Sequence, residues 1–298
     1  MRKKAPPDRE ISFIHIPKTA GTVLAGIIRR AYRPADSIPA HNLDELMKLD
    51  PASLNGYRCY TGHFGTALQD LLTKQVPTVT MLRDPFELYV SSVNHGLRNQ
   101  IRCGLNARDI AAASEQRWRE LGPYQTVDEV AGLLVAGDGL PLLNHPLAIS
   151  QVSNGQVRCL GVHFEIDRLK QATERLGLAE ELAARSGPVP DRDVYAEAVR
   201  NLESMVVVGL VEDMEASVRM VCRYLGVGPP AEVPVENVNP ARKTAGSYRS
   251  SGTLTARQAA FVDQVTALDR EFYEHAVNLH ARQVRAASRR WWQVWRQA

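Results

Sequence analysis

Three short apolar runs, each followed by apolar positions at helical spacing, organise this chain. The first, "ISFIHI" (residues 11–16), predicts a buried strand stopped by Pro17. Beyond a short loop, Val23, Leu24, Ile27, Ile28 and Tyr32 recur every three or four residues, which predicts a helix. The second run, "VPTVTML" (76–82), precedes Phe86, Tyr89, Val90, Val93 and Leu97 on one helical face. The third, "MVVVGLV" (205–211), precedes Glu212 and Asp213, acids suited to a helix N-terminus. Met214, Val218, Val221, Cys222 and Leu225 then form that helix's inner face.

Strands alternating with helices predict an α/β fold with a mostly parallel sheet flanked by helices. Such sheets bind ligands at the carboxyl ends of their strands. The 17–22 loop and the 83–85 turn both belong there and are expected to face one crevice. Residues 100–200 read as helical and irregular, in keeping with insertions on the substrate side. Near the end, Thr255 and Gln258 form a capping-box pattern. Phe261, Val265, Leu268, Phe272, Ala276 and Leu279 then predict one long helix over 254–298. Its tail, "RRWWQVWRQA", suits packing on its own domain, and also contact with a membrane surface or a partner subunit in a homo-oligomer.

Composition narrows the function classes. The 298 residues show no internal repeat or low-complexity linker, so a single domain over 1–298 is expected, with a flexible tail at 1–10. With 44% hydrophobic and 23% charged residues, the chain reads as a globular protein with a sizeable core. A net charge of +3 suits a small anionic ligand and falls short of a nucleic-acid binder. Cys59, Cys103, Cys159 and Cys222 are widely spaced, so neither a zinc site nor a disulfide framework is expected. No run approaches the roughly 18 apolar residues of a membrane span, and no signal segment follows the charged N-terminus. A cytoplasmic location is the simplest expectation.

The chemistry concentrates in "PKTAGT" (17–22). A loop entering a helix offers unpaired N–H groups and a favourable dipole to an anion. Ala20 and Gly21 let those amides approach phosphate oxygens, Thr19 and Thr22 can add hydroxyl donors, and Lys18 adds positive charge. The bland alternative is an ordinary strand-to-helix turn with a solvent-facing lysine. A nucleoside-triphosphate loop requires G-x-x-x-x-G-K-[ST], whereas Lys18 follows Pro17. Asp84, between Arg83 and Pro85, only half resembles a metal-binding aspartate.

The order K-T-x-G-T after "FIHIP" resembles the 5′-phosphosulfate loop of sulfotransferases that use 3′-phosphoadenosine-5′-phosphosulfate (PAPS). The nearest subgroup is the carbohydrate group that includes heparan sulfate 2-O-sulfotransferase. "LRDPFELYVSSV" resembles that family's 3′-phosphate element, and "YTGHFG" resembles its catalytic-histidine segment. "ENVNPARKTAGSYR", followed by "LDREFY", resembles the C-terminal nucleotide-covering loop and last helix. The resemblance implies a P-loop-like three-layer fold and a set of roles. Lys18 contacts the sulfonate and bridging oxygen. Backbone N–H groups of Thr19, Ala20, Gly21 and Thr22 hold the 5′-phosphate, with the Thr22 hydroxyl. Arg83 and Ser91 grip the 3′-phosphate, Arg242 and Lys243 close over it, and His63 is the general base.

The implied co-substrate is PAPS, the acceptor a hydroxyl of a small molecule or glycan, and no metal is needed. There are two departures from the family's pattern. Leu88 stands where the family often has a second arginine, and Thr61 where the heparan enzyme has another histidine. Asn144 and His145 suit either an acceptor pocket or a loop turn. His15 reads as structural, Trp118 as a packing residue, and His41 and His95 have no motif support. The rival readings are a metal-dependent nucleotide kinase or hydrolase and a non-catalytic nucleotide-binding adaptor.

Overall fold

A computed structural model describes residues 7–92, 153–162, 192–233 and 256–295. Four strands, β1 (Ile11–Ile14), β2 (Cys59–Gly62), β3 (Thr78–Leu82) and β4 (Val207–Leu210), form one sheet in the order β2-β1-β3-β4. All three pairings are parallel, with Ile11 beside Cys59, Phe13 beside Val79 and Thr80 beside Val208. The predicted strands at 11–16, 76–82 and 205–211 are present in shortened form. β2, with its single residue pair of polar Thr61 and Gly62 at the end, was not predicted.

Period-two alternation sends successive side chains to opposite faces, and both faces are covered. Ile11, Phe13, Val79, Met81 and Val207 pack against α1 (Gly21–Ala31) and α8 (Met214–Leu225). Ile14, Leu82, Val208 and Leu210 pack on the other face. Their partners come from α6 (Gly155–Gly161), α7 (Arg192–Ser204) and α10 (Ala267–Trp295). A third cluster, including Leu46, Tyr60, Phe64 and Leu68, gathers around β2 with the short helices α2 (Leu43–Met47), α3 (Pro51–Leu54) and α4 (Ala67–Leu71). Val23, Leu24, Ile27 and Ile28 of α1 and Tyr32, its C-cap, are all buried, as their spacing predicts. Each such side chain contributes about 1.5–3 kcal/mol of burial.

After β3 comes a helix, α5, described over residues 85–92. Its buried face holds Leu88, Tyr89 and Val90, with Phe86 only partly covered. Val93 and Leu97, predicted for the same face, lie outside the described residues.

Two predicted features differ. Where one helix is expected over 254–298, the described residues hold two, α9 (Ala256–Val265) and α10, parted at buried Thr266. The Thr266 hydroxyl donates back to the Val262 carbonyl at 2.8 Å, a bond that competes with regular helix geometry. The inner face is also less apolar than predicted, since Thr266, Asp269 and His280 are buried beside Phe272 and Ala276. At the other terminus, the end of the expected flexible tail is tied down. The Arg9 carbonyl accepts from the Tyr32 hydroxyl, its guanidinium donates to the Tyr224 carbonyl, and Glu10 pairs with Lys74 at 2.6 Å.

The polar inner face of α10 has a use. β4 lies at one end of the described sheet, where outward-facing backbone groups need partners. Gln283 accepts from the Val208 N–H at 2.8 Å, the His280 ring bonds the Val208 carbonyl, and Ser217 accepts from the Leu210 N–H. Side chains thus close the edge where another strand would pair. Among the described residues, no helix is long and apolar enough to cross a membrane.

Candidate functional site

The strand order creates one reversal point. The chain leaves β1 toward β2 on one side, and leaves β3 toward β4 on the other. A crevice therefore opens between the carboxyl ends of β1 and β3, where ligands of open α/β sheets bind. The β1 loop carries Lys18 to that crevice, and the β3 turn carries Arg83.

The loop has unusual backbone geometry. Lys18 (φ 67°) and Ala20 (φ 55°) both adopt the left-handed region without being glycine. Such conformations cost about 1–3 kcal/mol each and persist only where the surroundings impose them. Ala20 is the N-cap of α1, gives no side-chain cap, and the first turn holds no acid. The last turn carries Arg29 and Arg30, which complement the helix dipole. No side chain of that first turn supplies a counter-charge to the positive end of α1. Among the described residues, the N–H groups of Thr19 to Thr22 have no carbonyl partner.

Two loop residues make contacts that were not predicted. The Thr19 hydroxyl is not a ligand donor: it is fully buried and donates to the Ile16 carbonyl at 2.8 Å, leaving only its N–H for an anion. Gly21 answers first to His15. A Cβ there would lie 2.0 Å from His15 Cδ2 and 2.2 Å from Nε2, so the ring occupies the space a side chain would need. Thr22 is exposed at the start of the helix.

Arg83 links the two walls of the crevice. Its Nη1 donates to the Lys18 carbonyl at 3.3 Å, and its Nη2 lies 3.4 Å from Glu87 Oε2 one helical turn on. Asp84 caps α5 by accepting from the Glu87 N–H, while its own N–H donates to Glu212. Ser91 lies further along α5 and is half-buried. Leu88, where the sulfotransferases that the sequence resembles often have a second arginine, is buried, so no charge from that position faces the crevice.

His63 stands at the carboxyl end of β2, beside β1. Its Nδ1 bonds the His15 carbonyl at 2.7 Å. A carbonyl only accepts, so Nδ1 carries the proton and Nε2 keeps its lone pair. The ring stacks on His15 with centroids 4.1 Å apart, and the residue is exposed to solvent. Packing of the ring against the protein lowers its pKa below the ordinary value, outweighing the bond to the His15 carbonyl; His41 lowers it further. His15 is driven to about 3, by burial first and then by His63 and Arg29. A neutral His15 therefore lies beneath His63.

Sequence motifs did not single out the neighbours on this side. Arg29, from the last turn of α1, donates to the Thr61 hydroxyl at 2.6 Å, to the Thr61 carbonyl, and to His41 Nδ1 at 2.7 Å. The His41 carbonyl in turn accepts from the His63 N–H. Thr61 therefore serves as an acceptor for Arg29. Its proximity was not legible, because β2 itself was not.

A cavity of about 690 Å³ lies beside the loop, bounded by Ala20, Val23, Met214, Val218 and Val233. A larger groove of about 900 Å³ runs between α8 and α10 and shares Arg219 and Pro229 with that cavity. Among the described residues, no three His, Cys, Asp or Glu side chains gather as a metal-binding group. Arg242, Lys243, Asn144, His145, His95 and Trp118 lie outside the described residues, as do the side chains of the tail tryptophans. Lys18, Arg83 and His63 thus end on three adjacent strands at one edge of the sheet. No protein-family model matches the chain, and no curated protein matches its sequence.

Proposed function

We propose that the protein is a PAPS-dependent sulfotransferase acting on a hydroxyl of a small molecule or glycan. The observation that carries this reading is the convergence just described. An uncapped helix N-terminus and Lys18 follow β1, Arg83 follows β3 across the reversal crevice, and His63 follows β2 on the other side. Two cationic groups on the donor side and one neutral imidazole on the acceptor side are what an in-line displacement at sulfur requires.

In that reaction the acceptor oxygen forms a bond to sulfur as the bond from sulfur to the bridging phosphate oxygen breaks. His63 Nε2 takes the acceptor proton. Its lowered pKa keeps it neutral and able to do so near neutral pH. Lys18 and the N–H groups of Thr19 to Thr22 stabilise the charge that collects on the departing phosphate. Arg83 and Ser91 hold the 3′-phosphate, with Arg242 and Lys243 proposed to close over it.

Calorimetry with adenosine 3′,5′-bisphosphate and with ATP, each with and without magnesium, tests the reading. Tight, magnesium-independent binding of the bisphosphate is expected. Preference for ATP with magnesium would instead point to a kinase or hydrolase. Bisphosphate binding without transfer to any hydroxyl acceptor would point to an adaptor. His63→Ala should abolish transfer and keep bisphosphate binding, whereas Arg83→Ala should weaken binding itself.

A further inference from the structure

The β3 turn that carries Arg83 is held by a chain of polar contacts reaching back to α10. Gln156 is fully buried, and its side-chain amide grips the Arg83 backbone with both ends. Its Oε1 accepts from the Arg83 N–H at 2.9 Å, and its Nε2 donates to the Arg83 carbonyl at 3.0 Å. This two-point contact fixes the peptide planes on both sides of Arg83, and with them the direction in which the guanidinium leaves the chain.

Gln156 is itself fixed. Asp269 of α10 accepts from the N–H groups of Gln156 and Val157 at 3.1 and 2.8 Å. Asn154 closes the loop by accepting from the Asp269 N–H at 3.0 Å, and it adopts a left-handed φ of 46° to do so. A second α10 contact braces the next residue of the turn. Tyr273 donates to Glu212 at 2.5 Å, and Glu212 accepts from the Asp84 N–H. A buried carboxylate is costly unless its lone pairs are used. Here they are spent on the residue that clamps Arg83.

We infer that Gln156 is a positioning residue for Arg83, oriented by Asp269, and that the pair sets selectivity for a 3′-phosphorylated nucleotide. The selectivity rests on the proposed function; the clamp does not. The two are therefore tested separately.

The clamp is read without ligand, by amide hydrogen exchange on the whole chain. Gln156→Met preserves length and apolar bulk while removing both bonds. It should expose the Arg83 amide to exchange by about tenfold or more, while Val79 to Met81 amides keep their protection. Asp269→Asn should do the same more weakly, and it stands in if Gln156→Met does not fold. Unchanged Arg83 protection in the folded variant would overturn the clamp.

The selectivity is read as the ratio of dissociation constants for AMP and adenosine 3′,5′-bisphosphate. Gln156→Met should reduce that ratio by about tenfold and leave AMP binding within about twofold, since one charge-assisted contact is misdirected. Combined with Arg83→Ala, it should cause no further loss. Equal weakening of both ligands, or additive losses, would overturn the positioning role. If the unaltered protein shows no preference for the bisphosphate, the proposed function and the selectivity fall together, and the exchange result still decides the clamp.

Discussion

Gly21→Ala is the sharpest test of how the loop is built. Gly21 opens α1, where alanine is favoured over glycine by up to about 1 kcal/mol. Against this stands the His15 ring. The new Cβ would sit 2.0 Å from Cδ2 and 2.2 Å from Nε2, against an ordinary contact of about 3.5–4.0 Å. The ring would have to withdraw by about 1.5 Å, yet it is stacked on His63 and on Phe13. Overpacking of this kind costs about 1–3 kcal/mol. The net expectation is a loss of about 0–2 kcal/mol, opposite in sign to the propensity gain. Urea unfolding of Gly21→Ala in the parent and in a His15→Ala background separates the two effects. With the ring removed, the same substitution should become neutral or stabilising, giving a coupling of about 1–3 kcal/mol. An equal effect in both backgrounds would refute the packing argument.

Leu88→Arg introduces an arginine where the sulfotransferases that the sequence resembles often have one, but it puts a guanidinium on a residue that is 5% exposed. Thermal unfolding should show a loss of about 3 kcal/mol or more; parent stability with tighter bisphosphate binding would contradict the placement of α5. The histidine pair makes stability fall in acid. His15 titrates near 3 when folded against 6.5 when unfolded, so the unfolded chain binds the proton first. Its contribution is complete above about pH 6.5 and is lost as the pH falls towards about 3. Asp269 acts oppositely: burial raises its pKa from 3.8 to about 6, so its unfavourable term grows as the pH rises through that range. His15→Ala should therefore lose less stability than the parent between pH 7 and pH 5 in urea titrations. A larger loss would show that His15 is not held neutral.

Much of this was legible because β-branched and aliphatic runs bounded by Pro17, Arg83 and Glu212 leave few alternatives to strand–turn–helix. β2 was not legible for the opposite reason. It is four residues long, ends in Thr61 and Gly62, and becomes a strand by pairing with β1. The inner face of α10 was misread because periodicity counts only apolar residues. Thr266, Asp269 and His280 are buried there with long-range polar partners that no local pattern announces. Motifs singled out Lys18, His63 and Arg83, which the strand order brings to one edge of the sheet, since loop and turn residues carry recognisable spacing. Arg29 and Gln156 escaped notice, and His41 was set aside for want of a motif, because each acts on a residue far away in sequence. Gly21 was singled out for its nearness to a phosphate, whereas the nearer constraint is an imidazole.

The reach of α10 bears on how the protein comes into being. The strands that carry Lys18, His63 and Arg83 all lie before residue 83. The groups that brace the Arg83 turn and close the β4 edge, Asp269, Tyr273, His280 and Gln283, are made close to 200 residues later. At about 5–20 residues per second, these strands wait about ten seconds or more for the clamp. Until β4 is made, β3 is an open edge, a surface prone to pair with other chains. The support of the Arg83 turn is therefore completed late, when α10 docks.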